Sequence, residues 1–417
     1  MPENFHIDMP EAVRNIIHTI EEHGFKAYAV GGCIRDSILG RNPDDWDITT
    51  SAVPAQIKSF FKRTIDTGIA HGTVTIMIDK TGYEVTTYRI DGEYEDGRHP
   101  KSVEFSDRLV DDLSRRDFTI NAMAYNDSDG FVDEFNGLDD LDAKIIRCVG
   151  EPELRFTEDA LRMMRAIRFS AQLGFTIDEA TWSAIKKLAP SISKISMERV
   201  HVELGKTLMS AHPDYVAEYS EAGLFEPILP VVDNALKSRY NKKILAILRH
   251  VPDNIYLRYA ALFITSTPDE AAKTLRALKL DNKTVDTVSK LVELSKIDIE
   301  ETEPAVRTAL NKYGRDFLPL WHELMMAVLQ ASEDIIGISN PAKVKHLLTL
   351  KRLATDILAR GDCFTIKDLD ISGNDLIEYG LQGHEIGETL KSLLDIVIEN
   401  PKLNDKATLI AMIEHIK

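Results

Sequence analysis

Along this chain of 417 residues the spacing of apolar residues changes once, and that change constrains the fold more than any other feature. Up to about Gly150, short β-rich runs alternate with helical stretches; beyond it, apolar residues recur at helical spacing. The pattern predicts an α+β protein, with a small mixed β-sheet head followed by an elongated all-α remainder. At ~150 residues per domain the length allows two to four domains. The expected division is a head over 1–147, a helical neck over 148–210, a helical body over 211–300 and a helical tail over 301–417. Turn-like stretches such as Thr265-Ser266-Thr267-Pro268 guide the later boundaries. No fixed-period repeat or low-complexity segment stands out.

Within the head, Lys26 to Val30 reads as a strand, Gly31-Gly32 as a turn, Ile34 to Leu39 as a helix and Trp46 to Thr50 as a second strand. A helix is expected over Pro54 to Phe61. The runs Thr73 to Ile78 and Tyr83 to Arg89, separated by Asp79-Lys80-Thr81-Gly82, predict a hairpin. Ile90 to Ser106 is charged and rich in Gly, Asp and Glu, and reads as a mobile loop and candidate lid. Further on, helices are expected over Glu158 to Leu173, Asp178 to Leu188 and Met197 to Met209.

Charge narrows the function. Lys plus Arg number 50 against 67 Asp plus Glu, a net charge of −17, which argues against sequence-blind association with nucleic acid through bulk charge. A local basic groove is left open, because arginines cluster between Arg108 and Arg116 and between Arg155 and Arg168. No apolar run has transmembrane length, and Met1-Pro2-Glu3-Asn4 does not begin a secretory signal, so the expected compartment is the cytoplasm. Cys33, Cys148 and Cys363 lie too far apart for a zinc ribbon or a disulfide framework.

Asp45-Trp46-Asp47 opens a predicted strand, where the period of two places both carboxylates on one face and Trp46 on the other. Paired carboxylates on a rigid strand suit hard divalent cations such as Mg2+, which keep coordination positions for phosphate oxygens. A bare Asp-x-Asp is more often solvated turn chemistry; it gains weight from Gly31-Gly32-Cys33-Ile34-Arg35-Asp36 upstream. There, two glycines between a strand and a helix let backbone amides approach an anion, with Arg35 one turn along. A tight turn needing positive φ is the plain alternative. Glu84 supplies a third carboxylate if the hairpin packs beside the Asp45 and Asp47 strand, and is otherwise an exposed strand residue.

The segment Arg115 to Ala122 reads as the start of a helix. Its arginine pair follows Asp111-Asp112, for which a surface salt-bridge cluster is the ordinary reading. In the helix beginning at Glu158, Asp159 and Arg162 are three apart and share a face. Side by side they offer an acceptor and a donor, complementary to the amino donor and ring-nitrogen acceptor common to cytosine and adenine; guanine and uracil present the reverse order. Such a pair selects CTP and ATP without a nucleic-acid template. An ordinary ion pair on a helix face is the competing reading.

Taken together, the Gly-Gly-x-x-Arg turn, Asp45-x-Asp47, the Arg115 to Ala122 segment, the Glu158 to Arg162 helix and Met197-Glu198-Arg199 resemble, in order and spacing, the class II tRNA nucleotidyltransferases, or CCA-adding enzymes, of the polymerase beta type superfamily. Ile371-Ser372-Gly373-Asn374-Asp375-Leu376, followed by Gly380, Gly383 and Gly387, is similar to the tail of the Gram-positive bacterial members. The resemblance implies a palm-type head in which Asp45 and Asp47 bind the catalytic metals with help from Glu84. Gly32 and Arg35 hold the triphosphate, and Arg116 and Asp117 help position the nucleotide. Asp159 and Arg162 form the amino-acid template, ordered by Glu158, with Arg165 and Arg168 in the nucleotide-binding set. Glu198 and Arg199 brace the neck, and Ile90 to Ser106 matches the loop that governs the switch from C to A addition.

The implied reaction is template-independent addition of CCA to the 3′ end of tRNA from CTP and ATP, with release of pyrophosphate and with Mg2+ as cofactor. The partner is the tRNA acceptor arm, held through shape and phosphates; the chain acts as a monomer or homodimer. A bacterial poly(A) polymerase shares the head motifs but typically carries a basic extension, and none follows Ile416. A partial enzyme adding only CC or only A, and a non-catalytic tRNA-binding protein, are the other readings. The uninterrupted Ile90 to Ser106 segment argues against the CC-only form, and the presence of both Asp45 and Asp47 argues against the non-catalytic one.

Overall fold

Residues 6–92 and 102–416 are described by the computed structural model, and the chain divides into two units, Met1–Pro230 and Val231–Lys417. The first contains helices and strands in the order α1 (Glu11–Glu22), β1 (Ala27–Val30), α2 (Gly32–Ile38), β2 (Ile48–Thr50), α3 (Pro54–Phe60), β3 (Thr64–Gly68), β4 (Thr73–Ile78) and β5 (Thr81–Thr87). Then come β6 (Arg89–Asp91), β7 (Val103–Phe105), α4 (Leu109–Ser114), β8 (Met123–Asn126), β9 (Gly130–Asp133), α5 (Gly137–Ala143) and β10 (Ile145–Ile146). The unit continues through α6 (Pro152–Glu158), α7 (Leu161–Leu173), β11 (Thr176–Ile177), α8 (Glu179–Leu188), α9 (Met197–Leu208) and α10 (Val216–Glu221).

The main sheet has the order β3-β4-β5-β2-β1-β8-β9. It is mixed as expected, because β2 runs parallel to β5 while the other neighbouring strands are antiparallel. Tyr28, Val30, Tyr88, Leu113, Ala122, Ala124 and Val149 pack together as a core beneath it, and α1 adds Val13, Ile16, Ile17 and Ile20 at helical spacing. The hairpin is tighter than its sequence suggests. Asp79 (φ 47°) and Lys80 (φ 72°) both adopt left-handed backbone, so a two-residue turn joins the strands and β5 begins at Thr81.

Several local expectations are corrected. The second strand starts at Ile48 rather than Trp46, although the amide of Val30 still donates to the Asp47 carbonyl at 3.0 Å. Arg115 to Ala122 does not begin a helix. The Arg115-Arg116 pair ends α4, the amides of Val149 and Thr119 bond to the carbonyls of Asp117 and Arg147, and only a short 3-10 turn, Thr119–Asn121, precedes β8. The Glu158 to Leu173 helix is broken, because Asp159 takes an extended conformation (φ −145°, ψ 104°) between α6 and α7. The flanks of the expected loop over Ile90 to Ser106 pair as β6 and β7; its central residues 93–101 lie outside the described residues.

The second unit is helical. It comprises α11 (Pro230–Lys237), α12 (Asn241–His250), α13 (Ile255–Leu262), α14 (Pro268–Ala277), α15 (Asn282–Leu294), α16 (Glu303–Tyr313) and α17 (Phe317–Ile336), then α18 (Pro341–Arg360), α19 (Gly373–Glu378), α20 (His384–Glu399) and α21 (Lys406–Ile416). Thr267, read from sequence as part of a turn, is the N-cap of α14. Its hydroxyl accepts from the Glu270 amide at 3.2 Å while the Glu270 carboxylate accepts from the Thr267 amide at 2.8 Å, with Pro268 in the first turn. Ser372 and Asp375 cap α19 in the same reciprocal way. Arg307, 2% exposed, pins α16 to the end of α20, donating from Nε to the Ile398 carbonyl at 2.7 Å while Nη1 pairs with Asp362 at 2.9 Å. No helix of the described residues is long and apolar enough to cross a membrane. The three cysteines are buried and free, and burial pushes the Cys33 and Cys148 thiols up to about 12.

On α10, burial of Glu218, with the charges of Glu221 and Asp214 nearby, raises its carboxyl from 4.5 to about 7. The folded state therefore holds this proton more tightly than the unfolded chain does. Stability contributed by the neutral acid is present below about pH 4.5 and is lost as pH rises to about 7. Glu218→Gln, which has no proton to lose, is expected to stabilise the protein by on the order of 1–3 kcal/mol at pH 8 and by nothing measurable at pH 4. Denaturant unfolding at the two pH values checks this.

Candidate active site

The turn after β1 is set by Gly31, whose backbone (φ 86°, ψ −129°) excludes other residues. A Cβ there would lie 2.9 Å from Nη1 of Arg116. The bare turn is therefore what lets a guanidinium close over the start of α2. Gly32 opens that helix, and Arg35 lies inside it, 8% exposed. The Arg35 guanidinium donates to both carboxylate oxygens of Asp36, from Nε at 2.9 Å and Nη2 at 2.8 Å, and from Nη1 to Oδ1 of Asn121 at 2.6 Å. Sequence reasoning placed Arg35 on the phosphates; most of its fork is committed to protein.

Asp45 and Asp47 are open to solvent while Trp46 is buried at 8%, so the predicted alternation holds although these residues precede the strand. The parallel pairing of Ile48 with Val85 puts Glu84 beside Asp47, one step earlier in the register. The three carboxylates feel one another. Burial of its surroundings, opposed by Arg116 and reinforced by Asp45, raises the Asp47 carboxyl above its ordinary value, and burial, Asp47 and Asp45 raise Glu84. Among the described residues, no three His, Cys, Asp or Glu side chains converge closely enough to hold a metal ion by themselves. The oxygen-only donor set and the mutual repulsion of its carboxylates, which Arg116 only partly offsets, nonetheless fit a hard divalent cation that takes its remaining ligands from phosphate.

Opposite these carboxylates stands a set of arginines held by buried acids. Asp112, expected at the surface, has no exposed side chain. One of its oxygens accepts from Nε and Nη2 of Arg115 at 2.9 and 2.6 Å, and the other from Nη2 of Arg116 at 3.1 Å. Nε of Arg116 is buried without a partner. Asp117 accepts from Nδ2 of Asn121 at 3.0 Å and from Nε of Arg165 at 2.7 Å. Burial alone would push the Asp117 carboxyl up, but Arg165 and Asn121 hold it well below the carboxylate range.

Asp159 and Arg162 do not pair with each other. The carboxylate of Asp159 accepts from Nη1 and Nη2 of Arg199 at 3.2 and 2.6 Å, and from the Leu161 amide at 3.0 Å. Arg162 donates from Nη1 to Glu158 at 2.6 Å and from Nη2 to the carbonyl of Arg115 at 2.9 Å. Glu158 also pairs with Arg155 at 2.7 Å. Each half of the expected donor and acceptor pair is thus fixed by its own neighbour. Glu198 is exposed in the first turn of α9 and takes no part in these pairs.

Arg168 forms an ion pair with Glu203 at 2.5 Å, Arg165 lies 3.9 Å from the same carboxylate, and Arg35, Arg165 and Arg168 all approach the Phe169 ring, at 5.0, 5.3 and 3.8 Å from its centre. Asp112, Asn121, Phe169 and Glu203 are the site residues that sequence reasoning missed. Asp112 had a signal, since it stands three and four residues before the arginine pair. Gly31→Ala is expected to destabilise the fold by about 1–3 kcal/mol, measured by denaturant unfolding, through strain at positive φ and collision with Arg116.

Comparison with known proteins bears on this geometry. Residues 27–147 match the family described as 'Poly A polymerase head domain', 174–236 the one described as 'Probable RNA and SrmB-binding site of polymerase A', and 254–413 the one described as 'tRNA nucleotidyltransferase domain 2 putative'. A CCA-adding enzyme from Pediococcus pentosaceus is 34% identical over 98% of this chain and 98% of its own length. One from Levilactobacillus brevis is 36% identical over 99% and 98%. The crystal structure of the Bacillus stearothermophilus CCA-adding enzyme in complex with CTP superposes with a TM-score of 0.75 at 32% identity, covering 97% of this chain and 96% of that one. Matched along nearly its whole length to relatives of this one kind, the chain belongs to the CCA-adding enzyme family of tRNA nucleotidyltransferases.

Proposed function

We propose that this chain completes the 3′ end of tRNA by adding C, C and A in turn from CTP and ATP, with Asp45, Asp47 and Glu84 as the catalytic carboxylates. The carrying observation is that these acids, Asp45 and Asp47 just before β2 and Glu84 on the adjoining β5, come within the field of the half-buried guanidinium of Arg116 that lies over Gly31. The CTP held by the Bacillus stearothermophilus relative supports the nucleotide assignment.

In each cycle the 3′ hydroxyl of tRNA gives up its proton to a site carboxylate or water as its oxygen bonds to the α-phosphorus, the bond from that phosphorus to the α,β-bridging oxygen breaks, and pyrophosphate leaves. Asp45 and Asp47, with Glu84 beside them, would hold a divalent cation, Mg2+ in this proposal. Bound there, it would supply Lewis-acid stabilisation of developing negative charge. Gly32 leaves room for the triphosphate, and Arg116, turned over Gly31 and held by Asp112, meets its charge. Arg35 adds positive charge from behind. Asp117, locked by Arg165, fixes the floor on which the nucleotide rests. These residues act by positioning and electrostatics.

Asp159 and Arg162 face the base in this reading, Asp159 accepting from the amino group of C or A and Arg162 donating to the adjacent ring nitrogen. Glu158 and Arg199 hold them in orientation, and Arg165 and Arg168 stiffen the helix behind them through Asp117 and Glu203. Glu198 contributes through the dipole at the start of α9. The head over 1–147 would carry transfer, the neck over 148–210 nucleotide choice, and the body (211–300) and tail (301–417) the acceptor arm.

The deciding experiment supplies purified protein with Mg2+ and tRNA ending at the discriminator base, then CTP alone, ATP alone or both, and resolves products to one nucleotide. Two C residues from CTP, and a terminal A only with both, are expected; a long A tail from ATP alone would instead establish poly(A) synthesis. Asp45→Ala and Asp47→Ala are expected to lose at least about 10²–10³-fold in rate while retaining tRNA binding, and wild-type rates in both would remove the carboxylate assignment. Asp159→Ala and Arg162→Ala are expected to lower the preference for CTP over UTP by roughly tenfold or more, read from single-turnover incorporation.

A further inference from the structure

Asp112 is the junction through which the two sides of the site are mechanically joined. Its carboxylate is wholly buried, yet four donors from three residues converge on it. Thr49, two residues beyond Asp47 on β2, donates its hydroxyl to Oδ2 at 3.1 Å, and the same oxygen accepts from Arg116. Oδ1 accepts both donors of Arg115.

From Arg116 the contacts lead to Gly31 and to the field around Asp47. From Arg115 they lead the other way, because its backbone carbonyl accepts from Nη2 of Arg162 at 2.9 Å. The preceding carbonyl, Ser114, accepts from Arg155 at 3.3 Å, and Glu158 ties Arg155 to Arg162. The C-terminal carbonyls of α4 are thus capped by arginines of α6 and α7, and the orientation of that α4 terminus is fixed by Asp112.

We propose that Asp112 is a positioning residue of the transfer reaction, setting the register between Arg116 on the phosphate side and Arg162 on the base side so that it governs nucleotide choice as well as rate. This rests on the assignment of those arginines under the proposed function. Asp112 itself touches no substrate. Two guanidiniums share one anion, one on each oxygen, and their separation is set by a single rigid group whose Oδ2, the oxygen that takes Arg116, is also anchored to β2 through Thr49. Replacing the anion by an amide of the same shape leaves the two cations to repel, and each shifts toward its own side of the site. Phosphate and base are then held out of step with each other. A carboxylate whose role is only structural would lower the amount of folded protein and scale every nucleotide's rate alike.

The test compares wild type, Asp112→Asn and Thr49→Val, as full chains, in single-turnover addition to tRNA ending at the discriminator base, with CTP, UTP and GTP each titrated. Wild type that adds no CCA would overturn the functional reading itself; active wild type makes the variants informative about Asp112 alone. For Asp112→Asn, kcat/KM for CTP is expected to fall about 10- to 100-fold. Its preference for CTP over UTP and GTP is expected to fall about tenfold, with the KM for tRNA unchanged. Wild-type discrimination by a folded Asp112→Asn protein, whatever its overall rate, overturns the inference. Thr49→Val removes one neutral donor and leaves no charge unpaired, so it remains informative if Asp112→Asn does not fold. A loss of about two- to fivefold in discrimination supports the inference, and unchanged discrimination overturns it.

Discussion

Packing arginine inside a protein is costly unless each guanidinium meets an acid and its remaining donors find acceptors, and the first unit is organised around that requirement. Arg35 lies against Asp36, Arg115 and Arg116 against Asp112, Arg165 against Asp117, Arg162 against Glu158, Arg199 against Asp159 and Arg168 against Glu203. The pairs interlock through shared members, so α4, α6, α7 and α9 are oriented by directional contacts as well as by apolar packing. A protein of net charge −17 can in this way gather arginines in one region.

How much of this was legible in the sequence depended on the range of the physics involved. The Gly31 turn, the first strand of the hairpin and the alternation of Asp45, Trp46 and Asp47 follow from local backbone preference, and the structure shows each of them. The failures are long-range. Arg115 to Ala122 carries helical residues, but its backbone is claimed by the segment around Arg147 to Val149. The helix rule that put Asp159 and Arg162 on one face assumed a continuous helix, and Asp159 departs from it because Arg199, forty positions away, holds its carboxylate. Nothing in the spacing of Asp112 revealed that it would be enclosed.

The same distinction applies to the site. Residue types and motif order proposed Asp45, Asp47, Glu84, Asp159 and Arg162 as site residues. They did not say which side chains face the substrate and which face protein, a property decided by burial. Arg35 and Arg168 are the clearest cases, since both are basic residues in suggestive positions and both lie largely buried on protein partners. A motif lists the parts of such a site; the partners of each part come only with the fold.

The burial of these ion pairs also separates two properties that ionic strength would otherwise couple. Contacts between an exposed surface and an RNA backbone are screened within about 10 Å at 0.1 M salt, whereas Asp112, Asp117 and Glu203 are shielded from mobile ions by the protein around them. As salt rises, a grip on a polyanionic substrate should weaken long before the buried arginine framework does. Under the proposed function, nucleotide choice would then be insulated from the medium while occupancy by RNA is exposed to it.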